Sequence, residues 1–345
     1  MLAHLVVVML AATVSTPSSG VESTSDVRVR VDSVRREVVV TVGPMHIPEA
    51  TLYSHHPSEK RLRFQWPVSG WVRGYRLDLL DSAGRTLPRE MLHHAGVVNL
   101  DRRQLPYPIV ERLLAVGRET GPVMLPASMG VPMAPDQRLL LYYALVNATA
   151  RPIDGAVLRL AIAWTPDRTD PPRNVFPLFL DANPKAVGAD TRAFDVPPGV
   201  SITSAEFTLP AGGRLRALGG HLHDYAVGMR LEDVKTGKVL ARLKTRRQAD
   251  GRLIAVSSTR FVFKRRGLYL AANHRYRVIA VYDNPTSTTI PAGAMAFMAG
   301  PFIPDDVGRW PPIDATDPVF QADLTGLLGE GAHDEHEHGM QRRRQ

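Results

Sequence analysis

The segment Val27-Arg28-Val29-Arg30-Val31 decides the fold class. Valine and arginine alternate, and residues i and i+2 of a strand share a face, so one side is apolar and the other charged. The alternation resumes over residues 38–42. Tyr75-Arg76-Leu77-Asp78-Leu79-Leu80 runs into Asp81-Ser82-Ala83-Gly84 and then Arg85-Thr86-Leu87, which reads as strand, turn, strand. Met229-Arg230-Leu231-Glu232-Asp233, followed by Lys235-Thr236-Gly237 and Lys238-Val239-Leu240, repeats that reading. Further strands are expected over 139–146, 157–164, 253–263 and 276–282. Only 109–116 reads as a short helix.

Composition agrees with this. The 345 residues exceed one usual domain, and 44% hydrophobic content is ample for packed cores. The 27 glycines and 28 prolines suit many turns between short strands. The net charge is +8, but the arginines are dispersed through strand-like segments, a pattern of solvated strand faces; no nucleic-acid partner is expected. With no cysteine, disulfides and thiolate metal sites are excluded, leaving His, Met, Asp and Glu as metal ligands.

Residues 5–14 form an apolar run, followed by small and turn-forming residues. The run is the length of a signal-peptide core and short of the ~20 residues that span a bilayer. Residues 1–22 are therefore read as a signal peptide, the mature protein as secreted or periplasmic, and no membrane span is expected.

Two stretches echo each other. Asn147-Ala148-Thr149 ends one strand and precedes Ile153-Asp154-Gly155; Asn284-Pro285-Thr286 ends another and precedes Ile290 to Gly293. Their separation suggests two related β domains of about 140 residues each. The expected organisation is a first β-sandwich over 23–192, a second over 193–312, and a flexible tail over 313–345. That tail carries His333, His336, His338 and Arg342 to Arg344.

The histidines are grouped. His93 and His94 are adjacent, as are His55 and His56, whereas His46 and His274 stand apart. The sharpest motif is Gly219-Gly220-His221-Leu222-His223-Asp224-Tyr225. On a strand both imidazoles project from one face, about 7 Å apart at Cα, within reach of one metal, while Leu222 turns to the core. The Met-rich segment Gly293-Ala294-Met295-Ala296-Phe297-Met298 offers a thioether, and thioether with imidazole favours copper; both methionines are equally suited to filling core gaps. Asp224 or Tyr225 would orient an imidazole. Adjacent His93 and His94 can share a metal only if the strand is bulged there, as Gly96 permits, with His46, His55 or His56 as a candidate third nitrogen. A cupin site is excluded because Glu232 lies nine residues beyond His223. Metalloprotease and serine-hydrolase motifs are absent.

Together these residues resemble the copper type II, ascorbate-dependent monooxygenases, the family of peptidylglycine alpha-hydroxylating and dopamine beta-monooxygenases, and their looser stress-induced nodulin-like bacterial relatives. The resemblance spans roughly residues 60–305 and rests on about a dozen positions. It implies two antiparallel jelly-roll-like domains. It implies copper on His221, His223 and Met295, raising Met295 above Met298, and an incomplete first-domain site on His93 and His94, since no histidine lies between His94 and His221. It also implies hydroxylation of a small-molecule or peptide substrate with O2 and an external reductant. A non-catalytic copper-binding sandwich and a purely structural β protein are the rival expectations.

Overall fold

The computed structural model describes residues 27–49, 59–183, 193–261 and 267–329. The expected signal peptide, His55, His56, and the histidines and arginines of the far C-terminus lie outside them. The chain forms two β-sandwiches, almost wholly β and antiparallel apart from a two-residue parallel pairing between Arg173–Asn174 and Met129–Met133 and a single parallel bridge from Pro198 to Asn284. No helix among the described residues is long and apolar enough to cross a membrane.

The first sandwich packs a seven-stranded sheet, centred on Glu37–Ile47, Ile153–Thr165 and Gly70–Leu80, against a four-stranded one. The four-stranded sheet runs in the order Lys60–Gln65, Arg138–Leu145, Leu92–Arg103, Val110–Gly117. Val27–Asp32 hydrogen-bonds along Glu37–Ile47 and leaves Arg28 and Arg30 exposed, as its alternation requires. Trp66, Leu141, Leu158, Leu160 and Ile162 lie between the sheets with almost no exposure.

The segment expected to be helical is instead the strand Val110–Gly117, paired with Leu92–Arg103. Seven of its eight residues are buried. A strand covered on both faces loses its polar alternation, and periodicity then cannot tell it from a buried helix.

The second sandwich has a five-stranded sheet centred on Ala226–Asp233 and Tyr276–Asn284. Its partner is a six-stranded sheet in which Ala296–Pro304 is flanked by Ala217–Leu222, Gly213–Leu215 and Phe176–Asp181. Phe176–Asp181 already belongs to this second unit, so the chain changes sandwich between Asn174 and Phe176, ahead of the expected 192/193 junction.

The two Asn-x-Thr loops match bond for bond. Asn147 Oδ1 accepts from the amide and hydroxyl of Thr149 (3.1 and 2.7 Å), and its Nδ2 donates to the Arg151 carbonyl (2.9 Å). Asn284 does the same with Thr286 (3.0 and 2.8 Å) and the Thr288 carbonyl (2.9 Å). Both asparagines are buried and their amides are hydrogen-bonded, Asn284 Nδ2 reaching the Val196 carbonyl outside the loop as well (3.0 Å).

The tail expected to be flexible from residue 313 contains a helix, Pro318–Leu328. Asp317 caps it by accepting from the amides of Val319 and Phe320, and Pro318 opens its first turn. Phe320 and Leu327 pack on Val98, Leu100, Val110 and Leu140 of the four-stranded sheet. Arg112 and Asp323, both buried, join in a salt bridge that fastens the helix to Val110–Gly117.

Candidate functional site: a four-histidine cluster between the sandwiches

The strand Leu92–Arg103 is bulged at its start. Leu92 faces Leu145 and His94 faces Ala144 on the neighbouring strand, so two residues oppose one across His93. In a regular strand the adjacent imidazoles would diverge; the extra residue turns them toward each other, with ring centroids 4.9 Å apart.

The second pair closes the strand Ala217–Leu222. His221 and His223 are two residues apart and share a face, with centroids at 5.1 Å. Across the sheet His221 pairs with Phe297 and Leu222 with Ala296. Met295 immediately precedes Ala296, where one further step of that register would oppose it to His223, and it lines the same cavity as both histidines. Tyr282 secures the junction: its hydroxyl donates to the Met295 carbonyl (2.6 Å) and accepts from the His223 amide (3.2 Å). Met298 pairs with Gly220, on the opposite face, and is buried in the sandwich core.

The two pairs meet. His93 and His223 have centroids 5.2 Å apart, and His94 and His221 6.5 Å apart. The expected first-domain and second-domain positions therefore form one cluster. His221 Nε2, His223 Nε2 and His94 Nδ1 are buried nitrogens without a hydrogen-bond partner. Among the described residues, no group of three or more His, Asp or Glu side chains is arranged, in its present rotamers, to hold a metal ion.

Two carboxylates orient the cluster. Glu119 Oε1 lies 2.7 Å from His221 Nδ1, and Glu59 Oε2 lies 2.9 Å from His94 Nε2. Burial raises the carboxyl pKa of both. The neighbouring imidazoles, and for Glu59 also Arg61, outweigh it and hold both below the usual range, as carboxylates. His223 titrates well below an ordinary imidazole, first through burial and then through repulsion from His221, His93 and His94, so it is neutral and able to ligate.

Glu119 comes from a turn that crosses between the sandwiches. Arg89 donates to the carbonyls of Arg118 (2.9 Å), Gly117 (3.1 Å) and Thr120, fixing the turn. Arg118 then pairs with Asp224 of the second unit. A Cβ on Gly117 would stand 2.3 Å from the Glu119 carboxylate, so glycine there lets the side chain fold back toward His221.

Asp224, expected to orient an imidazole, instead accepts from Arg118 and from the Leu253 amide (2.7 Å); it braces the Glu119 turn. Tyr225, the other expected support, has φ +67° and exchanges backbone bonds with Gly251 and Asp283. The orienting groups, Glu59 and Glu119, were not legible in the sequence; a carboxylate 35 or 102 residues from its imidazole carries no local signal. His46 pairs with exposed Asp154 (2.5 Å) and His274 with Asp233 (2.9 Å); neither lines the site.

The cluster forms one wall of a cavity of about 310 Å³. Met295, Phe297 and Gly219 line it from the second sandwich; Leu114, Val116 and Val131 line it from the first; Leu327 of the C-terminal helix also reaches it.

No protein-family model matches the chain, and no curated protein matches it. Three solved structures are similar to it at a low level. The "STIV MCP" is 12% identical, with 71% of this chain and 92% of that one covered and a TM-score of 0.39. "PNGF-II" is 9% identical, covering 77% and 66%, TM-score 0.36. The major capsid protein P2 of bacteriophage PM2 is 8% identical, covering 76% and 98%, TM-score 0.34. All three TM-scores lie below 0.5 and carry no inference about this chain.

Proposed function

We propose that this protein binds copper at His93, His94, His221 and His223, with Met295 alongside, and uses it to hydroxylate a substrate held in the adjoining cavity, drawing on O2 and an external reductant. The observation that carries the reading is the convergence of two histidine pairs, from two sandwiches, with three ring nitrogens left buried and unpartnered. A buried polar atom without a partner is costly unless a ligand completes it.

The spacing suits one metal. With metal–nitrogen bonds of ~2.0–2.1 Å and near-tetrahedral angles, imidazole centroids around a common ion stand roughly 5 Å apart. Three of the four ring separations given above are 4.9, 5.1 and 5.2 Å. Closing the set requires the imidazoles to turn about their side-chain bonds. Imidazoles alone suit copper, zinc, iron or nickel; the thioether on the same face selects Cu(I) among them. When bound, copper would supply the redox chemistry of O2 activation. The chain's own residues have other tasks: Glu119 and Glu59 orient His221 and His94 and raise their basicity as ligands, and apolar walls exclude water. Export to the secreted or periplasmic space, read from residues 1–22, belongs to the same proposal.

The test is copper loading of the purified protein. One equivalent should bind per chain, be lost in His221→Ala, and support oxygen uptake with ascorbate. Zero equivalents, or one retained undiminished by His221→Ala, would sink the reading. Copper bound without oxygen uptake would select the second reading, a non-catalytic copper-binding sandwich. That reading is favoured by the merging of the two histidine pairs, which leaves no separate second position to relay electrons.

A further inference from the structure

We infer that the cavity beside the histidine cluster takes an uncharged, largely hydrocarbon or aromatic small molecule of about a dozen non-hydrogen atoms. This deepens the proposed function, and rests on it only in calling that molecule the substrate. The size follows from the 310 Å³ volume, since a 150 Å³ apolar cavity holds benzene.

The chemistry follows from the walls. Val72, Leu114, Val116, Val131, Phe179 and Phe297 offer only carbon. Every charged group among the described lining residues is already engaged by another protein group. Arg61 donates to Glu59 (2.8 Å) and to the carbonyls of Gly326 (2.5 Å) and Gly329 (3.2 Å). Arg112 is held by Asp323 and the Val110 carbonyl (2.9 Å). Glu59 is taken by His94 and Arg61, and Asp323 also accepts from the Val110 amide (3.0 Å). The Tyr75 hydroxyl donates to the Ala115 carbonyl (3.0 Å). Among the described lining side chains, besides the imidazoles, one buried donor has no partner, Arg112 Nε, enough for a single neutral acceptor. A peptide carboxylate or an amine would meet no free counter-charge among the described lining residues, and burying an unpaired ion is strongly unfavourable.

Two small residues give the handle for a test. Gly219 is two residues before His221 and shares its face, and it pairs across the sheet with Ala299. Both line the cavity, and a Cβ at Gly219 meets nothing within 4 Å. Gly219→Leu and Ala299→Leu would therefore fill the cavity from one wall.

The probes are naphthalene, 1-naphthoate and the 1-naphthylmethylammonium ion, titrated into the metal-free full-length protein by fluorescence or calorimetry. Naphthalene should bind, and each charged analogue should bind about tenfold more weakly or worse. At least one of Gly219→Leu and Ala299→Leu, with a cooperative unfolding transition retained, should weaken naphthalene by about tenfold. A charged analogue binding as tightly as naphthalene would overturn the inference. So would no naphthalene binding, or binding unchanged in both variants. Failure to load copper would remove the proposed function and leave this result standing, so the two failures are distinguishable.

Discussion

Glu119 Oε1 lies 2.7 Å from His221 Nδ1, across 102 residues of chain and between the two sandwiches. The contact fixes the ring with Nε2 directed away from the carboxylate, buried and unpartnered. Glu119→Gln should keep the fold and weaken copper by roughly 10- to 100-fold, the usual cost of losing a group that orients a ligand. Competition against a chelator of known affinity measures it. An unchanged affinity would show that the carboxylate is only a domain contact.

Met295 and Met298 differ by face, as an odd separation of three residues along extended chain requires. Met295→Leu should selectively lower Cu(I) affinity relative to Cu(II), because the thioether is the soft ligand. Met298→Leu, a volume-conserving change in the core, should cost under about 1.5 kcal/mol of stability and leave copper binding intact. Paired Cu(I) and Cu(II) titrations of both variants decide; equal effects on Cu(I) would refute the assignment of faces.

The metal-free protein should respond to pH through His223. Its pKa is depressed on folding, so between the ordinary imidazole value of 6.5 and the lower folded value the unfolded chain binds the extra proton. Stability attributable to this group is therefore full above 6.5 and falls as pH drops below it. Asp181 acts in the opposite sense: burial raises it from 3.8 to about 7, so its contribution is full below 3.8 and is lost as pH rises through 7. The separable expectation is that His223→Gln flattens the acid-side loss of urea stability between pH 7 and 5, whereas Asp181→Asn steepens it. Identical pH slopes in wild type and His223→Gln would contradict the neutral, desolvated imidazole.

Arg112 and Asp323 are buried with 3% and 6% of their side-chain surfaces exposed, and they tie the C-terminal helix to the strand beneath the cavity. Asp323→Ala leaves a buried guanidinium uncompensated and should cost about 3–5 kcal/mol. Replacing both partners with apolar residues, Arg112→Met with Asp323→Leu, should recover most of that loss. Chemical denaturation of the three proteins checks it, and amide exchange over 318–328 should rise in the single variant alone.

The all-β class was legible because alternation is a local property: Val27 to Val31 must present one apolar face whatever follows. The shared face of His221 and His223 was legible for the same reason, as were the Asp81–Gly84 and Lys235–Gly237 turns, where glycines at φ +78° and +68° close loops held by the side chains of Asp81 and Asp233. The strand Val110–Gly117 was misread as helix because burial on both faces erased the period, and the helix Pro318–Leu328 was missed inside a segment read as tail.

What only tertiary structure decided is the site. Sequence separates His93 from His223 by 130 positions and assigns them to different domains; the packing of the sandwiches sets their rings 5.2 Å apart. A one-residue bulge, invisible in composition, aims His93 and His94 together. Glu119 and Glu59 gain meaning only once strands distant in the chain lie side by side. Local pattern fixes which way a side chain points from its own strand; which surface it then meets depends on the register and docking of elements far away in the chain, and that is set by the burial of whole faces.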